Sequence, residues 1–279
     1  MSEPRRTQTH GNNSKVYVPI IRMIFQERYR EGVEEIDFTL DDIREAADRL
    51  GVREKTRNAG DVVYRMRART ELPEEIRAAG FYIIRQVGRG RYRMEKATGI
   101  IIDLDSDAVV IEALDLTPLP VRRLLPEDIS HIDEQGLLTL VNYSKLLDHF
   151  TGLTVYRLRS HVRKSVEGVG QAEVDEVDVG IALSDEEVPV VFPIEAKAVD
   201  DAINRVQIAT QVQFARQYFP GHEIRPLAVK MDHRGLIHFV EFNDEISPAK
   251  LQVMRRSTYR LQLSERQRDM IARTTKVLL

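Results

Sequence analysis

The chain has 279 residues, 42% of them hydrophobic and 30% charged, with a net charge of −3; that length suits one large domain or two ordinary ones, and that balance a globular fold. With no cysteine, disulfides and thiolate zinc sites are excluded. No apolar run approaches the ~20 residues of a membrane span, and the polar start M-S-E-P-R-R-T-Q-T-H lacks a signal peptide's apolar core. A cytoplasmic location without a membrane partner is therefore expected.

Charge is unevenly spread. Residues 1–99 carry 20 Lys and Arg against 16 Asp and Glu, residues 100–150 carry 3 against 10, and the remainder 18 of each. The basic excess in the N-terminal third leaves room for a nucleic-acid partner despite the total.

Residues 1–15 read as a polar, disordered tail. Ile20, Ile21, Ile24 and Phe25 then mark a helix running to about Tyr29. Glu35–Phe38 reads as a short strand, and Thr39 as the cap of a second helix that Gly51 ends. A third helix follows from Asp61 to Thr70, carrying Arg65, Arg67 and Arg69, with Arg65 and Arg69 on one stripe. Leu72 to Gly80 reads as a short helix with Pro73 in its first turn, and residues 81–96 as a hairpin tipped by Gly88-Arg89-Gly90.

This element order, with Arg85, Arg89, Arg91 and Arg93 on the hairpin, resembles a winged helix-turn-helix across residues 16–97. The resemblance implies binding to double-stranded DNA, the third helix entering a major groove and the hairpin arginines meeting phosphates or a minor groove.

Residues 98–130 read as a bridge: apolar, then acidic, then proline-punctuated in T-P-L-P. Asp103, Asp105 and Asp107 alternate as in a calcium loop, but no Gly or distal Glu completes one, so they read as a solvated turn. From Asp133 to Phe150, Leu137, Leu138, Val141, Leu146, Leu147 and Phe150 give a buried helical stripe. Glu134 at its start is favoured there by the helix dipole. A strand, or a strand running into a loop, then gathers Arg157, Arg159, His161, Arg163 and Lys164.

The stretch Gly170–Lys197 is the centre of the remaining chain. G-Q-A-E-V-D-E-V-D-V-G-I-A-L and V-P-V-V-F-P-I-E-A-K, joined by an acidic turn, read as neighbouring strands. A period of two puts Glu195 and Lys197 on one face, pairs Glu173 with Asp175, and turns Glu176 and Asp178 the other way. A carboxylate from each strand plus a lysine suits metal-dependent phosphodiester cleavage: hard oxygen ligands hold Mg²⁺, and the ammonium orients water or stabilises developing charge.

The arrangement resembles the PD-(D/E)xK nuclease superfamily, with Glu195-Ala196-Lys197 as its E-x-K. The D-E-Q helix start, His161-Val162-Arg163, the G-Q-A-E-V-D-E-V-D-V-G strand and Tyr259-Arg260-Leu261 further resemble a restriction-type subfamily. That subfamily implies Asp175 as the metal ligand, while the general pattern fits Asp178 equally. The resemblance also implies Glu195 as a metal ligand, Lys197 as the group assisting water, Glu134 as an additional acid, and backbone contacts from His161 and Arg163. A glutamine on the helix after E-x-K lies near the active site in several branches; Gln207 and Gln211 are one turn apart there.

That helix is expected from Ala198 to Phe219, followed by strands at R-P-L-A-V-K-M and L-I-H-F-V-E-F and a closing helix over 264–279. The expected chain is α/β, α+β overall: a tail (1–15), a winged helix (16–97), a bridge (98–130) and a restriction-endonuclease-like mixed sheet flanked by helices (131–279). The implied activity is Mg²⁺-dependent cleavage of double-stranded DNA, Mn²⁺ substituting, by a homodimeric type II restriction enzyme without organic cofactor. A DNA-binding regulator with an inactive nuclease-like domain, or a structure-specific nuclease, is the alternative.

Overall fold

The computed structural model describes residues 14–56, 58–68, 72–105, 107–126, 131–182, 185–265 and 267–269. The expected tail lies outside them as far as Asn13, as does the closing helix beyond Asp269. The described chain is mixed α+β and falls into two compact units, residues 1–100 with 167–170, and the rest.

In the first unit, α1 (Ser14–Arg28), β1 (Glu35–Thr39), α2 (Leu40–Arg49), α3 (Gly60–Ala68) and α4 (Glu74–Ala78) precede β2 (Phe81–Gly88) and β3 (Arg91–Lys96). The antiparallel sheet runs β1-β3-β2. Thr39 and Asp42 form a reciprocal capping box that starts α2, and Gly51, at φ 67°, takes the left-handed turn beyond it. Arg89-Gly90 closes the hairpin, where the Gly90 carbonyl accepts from Leu40 N–H at 2.9 Å. Ile21, Ile24, Ile43, Val62, Ile76 and Phe81 meet in one core. Helix α4 is shorter than its sequence pattern because Pro73, held at φ −47° and ψ 146°, is its N-cap.

The second unit holds β4 (Ile101–Ile102), β5 (Val110–Leu114), α5 (Leu119–Arg122), α6 (Glu134–Tyr143), α7 (Leu146–Thr151), β6 (Thr154–Val166), β7 (Gly170–Ala182), β8 (Asp185–Lys197), β9 (Ile203–Asn204), α8 (Arg205–Tyr218), β10 (Leu227–Met231), β11 (Ile237–Phe242) and β12 (Val253–Gln262). Its seven-stranded mixed sheet runs β5-β12-β11-β10-β8-β7-β6. The β8/β10 and β5/β12 pairs are parallel, and β8-α8-β10 is the βαβ crossover expected from the sequence. Helices α6 and α7 press Leu138, Val141 and Phe150 onto Phe192, Ile194 and Phe239 on one face. On the other, Ile208 of α8 meets Ala228 and Val240.

Three local outcomes differ from the sequence pattern. The segment read as a bridge supplies β5, which adds an edge strand by pairing with β12 from Thr258↔Val110 to Gln262↔Leu114. The single helix over 133–150 is two, because Lys145 adopts φ 55° and breaks the ladder. Helix α8 begins seven residues after Ala198, at Arg205, where the Asn204 side chain accepts from Val206 N–H at 2.8 Å.

Gly180 of β7 lies against Leu153 and Phe192, and a Cβ there would sit 2.8 Å and 2.6 Å from their side chains. Gly180→Ala therefore destabilises the second unit, by roughly 1–3 kcal/mol as for an overpacked core. A lowered urea midpoint with an unchanged m-value is the expected reading; an unchanged midpoint would refute it.

Candidate active site

Strands β7 and β8 are antiparallel, with Asp178 opposite Phe192 and Glu176 opposite Ile194. One step further the same register brings Asp175 across from Glu195. There the ladder yields to a side chain: Ala196 N–H donates to Asp175 Oδ2 at 2.9 Å. The E-x-K backbone is thus fastened to the upstream aspartate. Glu195 is only 3% exposed. Its Oε1 lies 2.5 Å from Lys197 Nζ, and its Oε2 accepts from Gln211 Nε2 on α8. Of the two glutamines singled out, Gln211 is buried on Glu195, while Gln207, in the first turn of α8, is exposed.

The acids repel one another. Burial is the main force pushing the Glu195 carboxyl up to about 7; Asp175 and Glu134 add to it, while Lys197 opposes it. Asp175 is also raised, chiefly by burial, with Glu134 and Glu173 adding and the Ala196 N–H and Lys197 opposing. For Lys197, burial lowers its proton affinity, but Glu195 outweighs it and the net direction is up. The 2.5 Å contact between Lys197 and Glu195 favours the ionised pair. Glu134, the first residue of α6 behind the Asp133 N-cap, thus adds to the negative field at both carboxylates.

Do these groups suit a divalent cation? The donors are hard carboxylate oxygens, and Asp175, Glu195 and Glu134 crowd negative charge that a cation would neutralise. Against this, both Glu195 oxygens are engaged by Lys197 and Gln211. Among the described residues, moreover, no three His, Cys, Asp or Glu side chains already meet as a metal-holding cluster. The donor chemistry fits Mg²⁺ at Asp175 and Glu195; the cation would have to compete with Lys197 and Gln211 for its place.

Asp178 lies on the opposite face from Asp175. It and Glu176 are both fully buried towards α6, where Asn142 Nδ2 donates to Glu176 Oε1 at 2.8 Å and Arg157 Nε ion-pairs with Glu176 Oε2 at 2.7 Å. Neither Asp178 oxygen finds a donor among the described residues. Burial first, then the Glu176 charge, pushes the Asp178 carboxyl up to about 8. The period of two holds: Asp175 and Glu195 lie on the face that α8 covers, Glu176 and Asp178 on the face that α6 covers.

The basic residues of β6 divide between the two faces. Arg157 pairs with Glu176 on the α6 side, whereas Arg163 pairs with Glu173, on the Asp175 side, at 2.9 Å. Residues 157 and 163 have the same parity and would share a face in a regular strand. His161, exposed and at φ 48°, breaks that regularity. Arg159 and Lys164 are exposed on the same strand.

In the first unit, Arg89 and Arg91 at the hairpin tip are exposed, while Arg85 and Arg93 are taken up by Glu95 and by Asp37, each at 2.6 Å. Arg69 lies outside the described residues, as do the side chains of Arg65 and Arg67.

Two participants escaped the sequence reading. Asn142 looked like an ordinary polar residue on a helix. Lys230 of β10, the register partner of Lys197, donates its ammonium to the carbonyls of Ala198 and Val199, both at 2.9 Å, and of Asp201. It holds the loop between β8 and α8 in place. A lone lysine inside the buried run L-A-V-K-M was the available signal. Comparison with protein-family models, curated proteins and solved structures returned no match.

Proposed function

We propose that the second unit is a Mg²⁺-dependent DNA endonuclease of the PD-(D/E)xK kind, and the first a winged-helix-like module that grips double-stranded DNA. The observation that carries this reading is the fastening of Asp175, Glu195 and Lys197 into one group by the 2.9 Å Ala196–Asp175 and 2.5 Å Lys197–Glu195 contacts. The mixed sheet, with acids on β7 and β8 and the β8-α8-β10 crossover, supports a restriction-endonuclease-like fold. The order of α1 to β3, with sheet order β1-β3-β2 and the exposed Arg89 and Arg91, supports the winged helix.

Asp175 and Glu195 would hold Mg²⁺, or Mn²⁺ in its place, which when bound neutralises phosphate charge and makes water more acidic. Lys197 sets an ammonium beside that phosphate, where it orients the attacking water and stabilises the charge that develops on oxygen. Gln211 fixes the Glu195 carboxylate, and Glu134 deepens the field that attracts the cation. Cutting both strands calls for two such sites, so the active form is a homodimer. The specific reading is a type II restriction enzyme.

Supercoiled plasmid incubated with the full chain and Mg²⁺ tests it. Nicked and linear products that EDTA suppresses and Mn²⁺ restores are expected, and discrete fragments mark site specificity. Intact plasmid under all three conditions would leave a DNA-binding regulator instead.

A further inference from the structure

Strand β6 is the outer edge of the seven-stranded sheet, next to β7. Val155 is buried in the core beneath α6 and α7, and Arg157 reaches Glu176 on that same side. Tyr156 and Leu158 therefore point to the other face, the one β7 shares with Glu173 and Asp175. Both are strongly exposed there, 56% for Tyr156 and 47% for Leu158. Beyond the left-handed His161, Arg163 turns onto this face as well, through its pairing with Glu173.

The aromatic ring and the aliphatic side chain stand side by side on an uncovered edge strand, a small apolar step that a flat partner can cover. The charge of the strand says which. From Thr154 to Val166 it carries four Lys or Arg, one His and no acid. A second copy of the same strand would bring like charges together; a polyanion would not. A paired duplex shows its bases only edge-on in the grooves, whereas an unpaired base offers a flat face that stacks on an aromatic ring.

We infer that β6 is a cradle for single-stranded nucleic acid: a base stacks on Tyr156 against Leu158, and Arg163, on the same face beyond His161, exchanges Glu173 for a phosphate. This rests on the nuclease reading and narrows its substrate. The duplex is opened locally where it is cut, so that an unpaired stretch of the cut strand lies next to Asp175 and Glu195.

The test is binding, measured in EDTA so that no cleavage intervenes. Fluorescence anisotropy compares the full chain with Tyr156→Ala, Tyr156→Phe and Leu158→Ala, on a labelled oligothymidylate and on a blunt duplex of mixed sequence. Tyr156→Ala weakens the oligothymidylate complex by roughly 5- to 100-fold, the worth of one stacked base. Tyr156→Phe, which keeps the ring, retains affinity, Leu158→Ala weakens the same complex, and duplex binding is unchanged throughout. Thermal melts of the variants identical to wild type confirm that they fold. Equal losses on both probes, or no loss on the oligothymidylate, would overturn the inference. So would a wild-type dimer that Tyr156→Ala converts to monomer, since β6 would then be an interface between copies. A protein that binds in the expected way yet leaves plasmid intact sinks the nuclease reading alone; one that cuts plasmid but ignores Tyr156 sinks this inference alone.

Discussion

Lys197→Ala leaves plasmid cleavage at least about a hundredfold slower, the usual scale for removing one charged stabiliser of a transition state. The reason lies in the ground state as well as in the reaction. Among the described residues, Lys197 is the cation in contact with Glu195, a carboxylate that burial, Asp175 and Glu134 push towards neutrality. Without the ammonium, Glu195 holds its proton more tightly and is a poorer ligand at neutral pH. Raising the pH should then recover part of the metal dependence but not the rate, since the charge beside the phosphate stays missing. Initial rates at several Mg²⁺ concentrations and pH values separate the two effects. A variant that cuts at the wild-type rate would remove Lys197 from the mechanism.

Asp178→Asn should do the opposite of a typical active-site mutation: it keeps cleavage and stabilises the fold at alkaline pH, by on the order of 2 kcal/mol. The Asp178 carboxyl stands at about 8 in the fold against an ordinary 3.8. The folded chain therefore binds a proton that the unfolded chain has released. Stability from this group is complete below pH 4, declines as pH rises, and is gone once pH passes about 8. The Glu176–Asp178 pair titrates as a unit, so the decline belongs to the pair. Asparagine carries no such proton, and its amide can donate to Glu176. Urea midpoints at pH 6 and pH 9 give the answer: the gap between variant and wild type widens at pH 9. Equal midpoints at both would mean that Asp178 is ordinary. Asp175→Asn, in contrast, abolishes cleavage, which distinguishes the two aspartates directly.

Much of the site could be read from residue order because strands have a period of two. Glu195 and Lys197 fall on one face, and Asp175 and Asp178 on opposite ones, whatever the tertiary structure. Which helix covers which face is not periodic information; Asn142 and Arg157 close over Glu176 on the α6 side, and Gln211 meets Glu195 on the α8 side. The choice between Gln207 and Gln211 was hidden for a similar reason. They share a helical stripe, and only where α8 meets Glu195 decides between them. Backbone exceptions misled the pattern most. His161 and Lys145, both at positive φ, reverse a strand's faces and split a helix, and neither is the glycine that such conformations favour. In β5, a short run beside prolines resembled a connector because its partner, β12, lies almost a hundred and fifty residues away.

The three carbonyls gathered on Lys230 tie loop conformation to sheet registry. Oxygens of like polarity would otherwise face each other in a half-buried space, so the ammonium is what permits the chain to turn there. The offset between Lys197 and Gln211 is consequently held by a neighbouring strand as well as by the Asn204 cap. The Asp175–Glu195–Lys197 group and the crossover should open together, as a single cooperative block, when the unit unfolds.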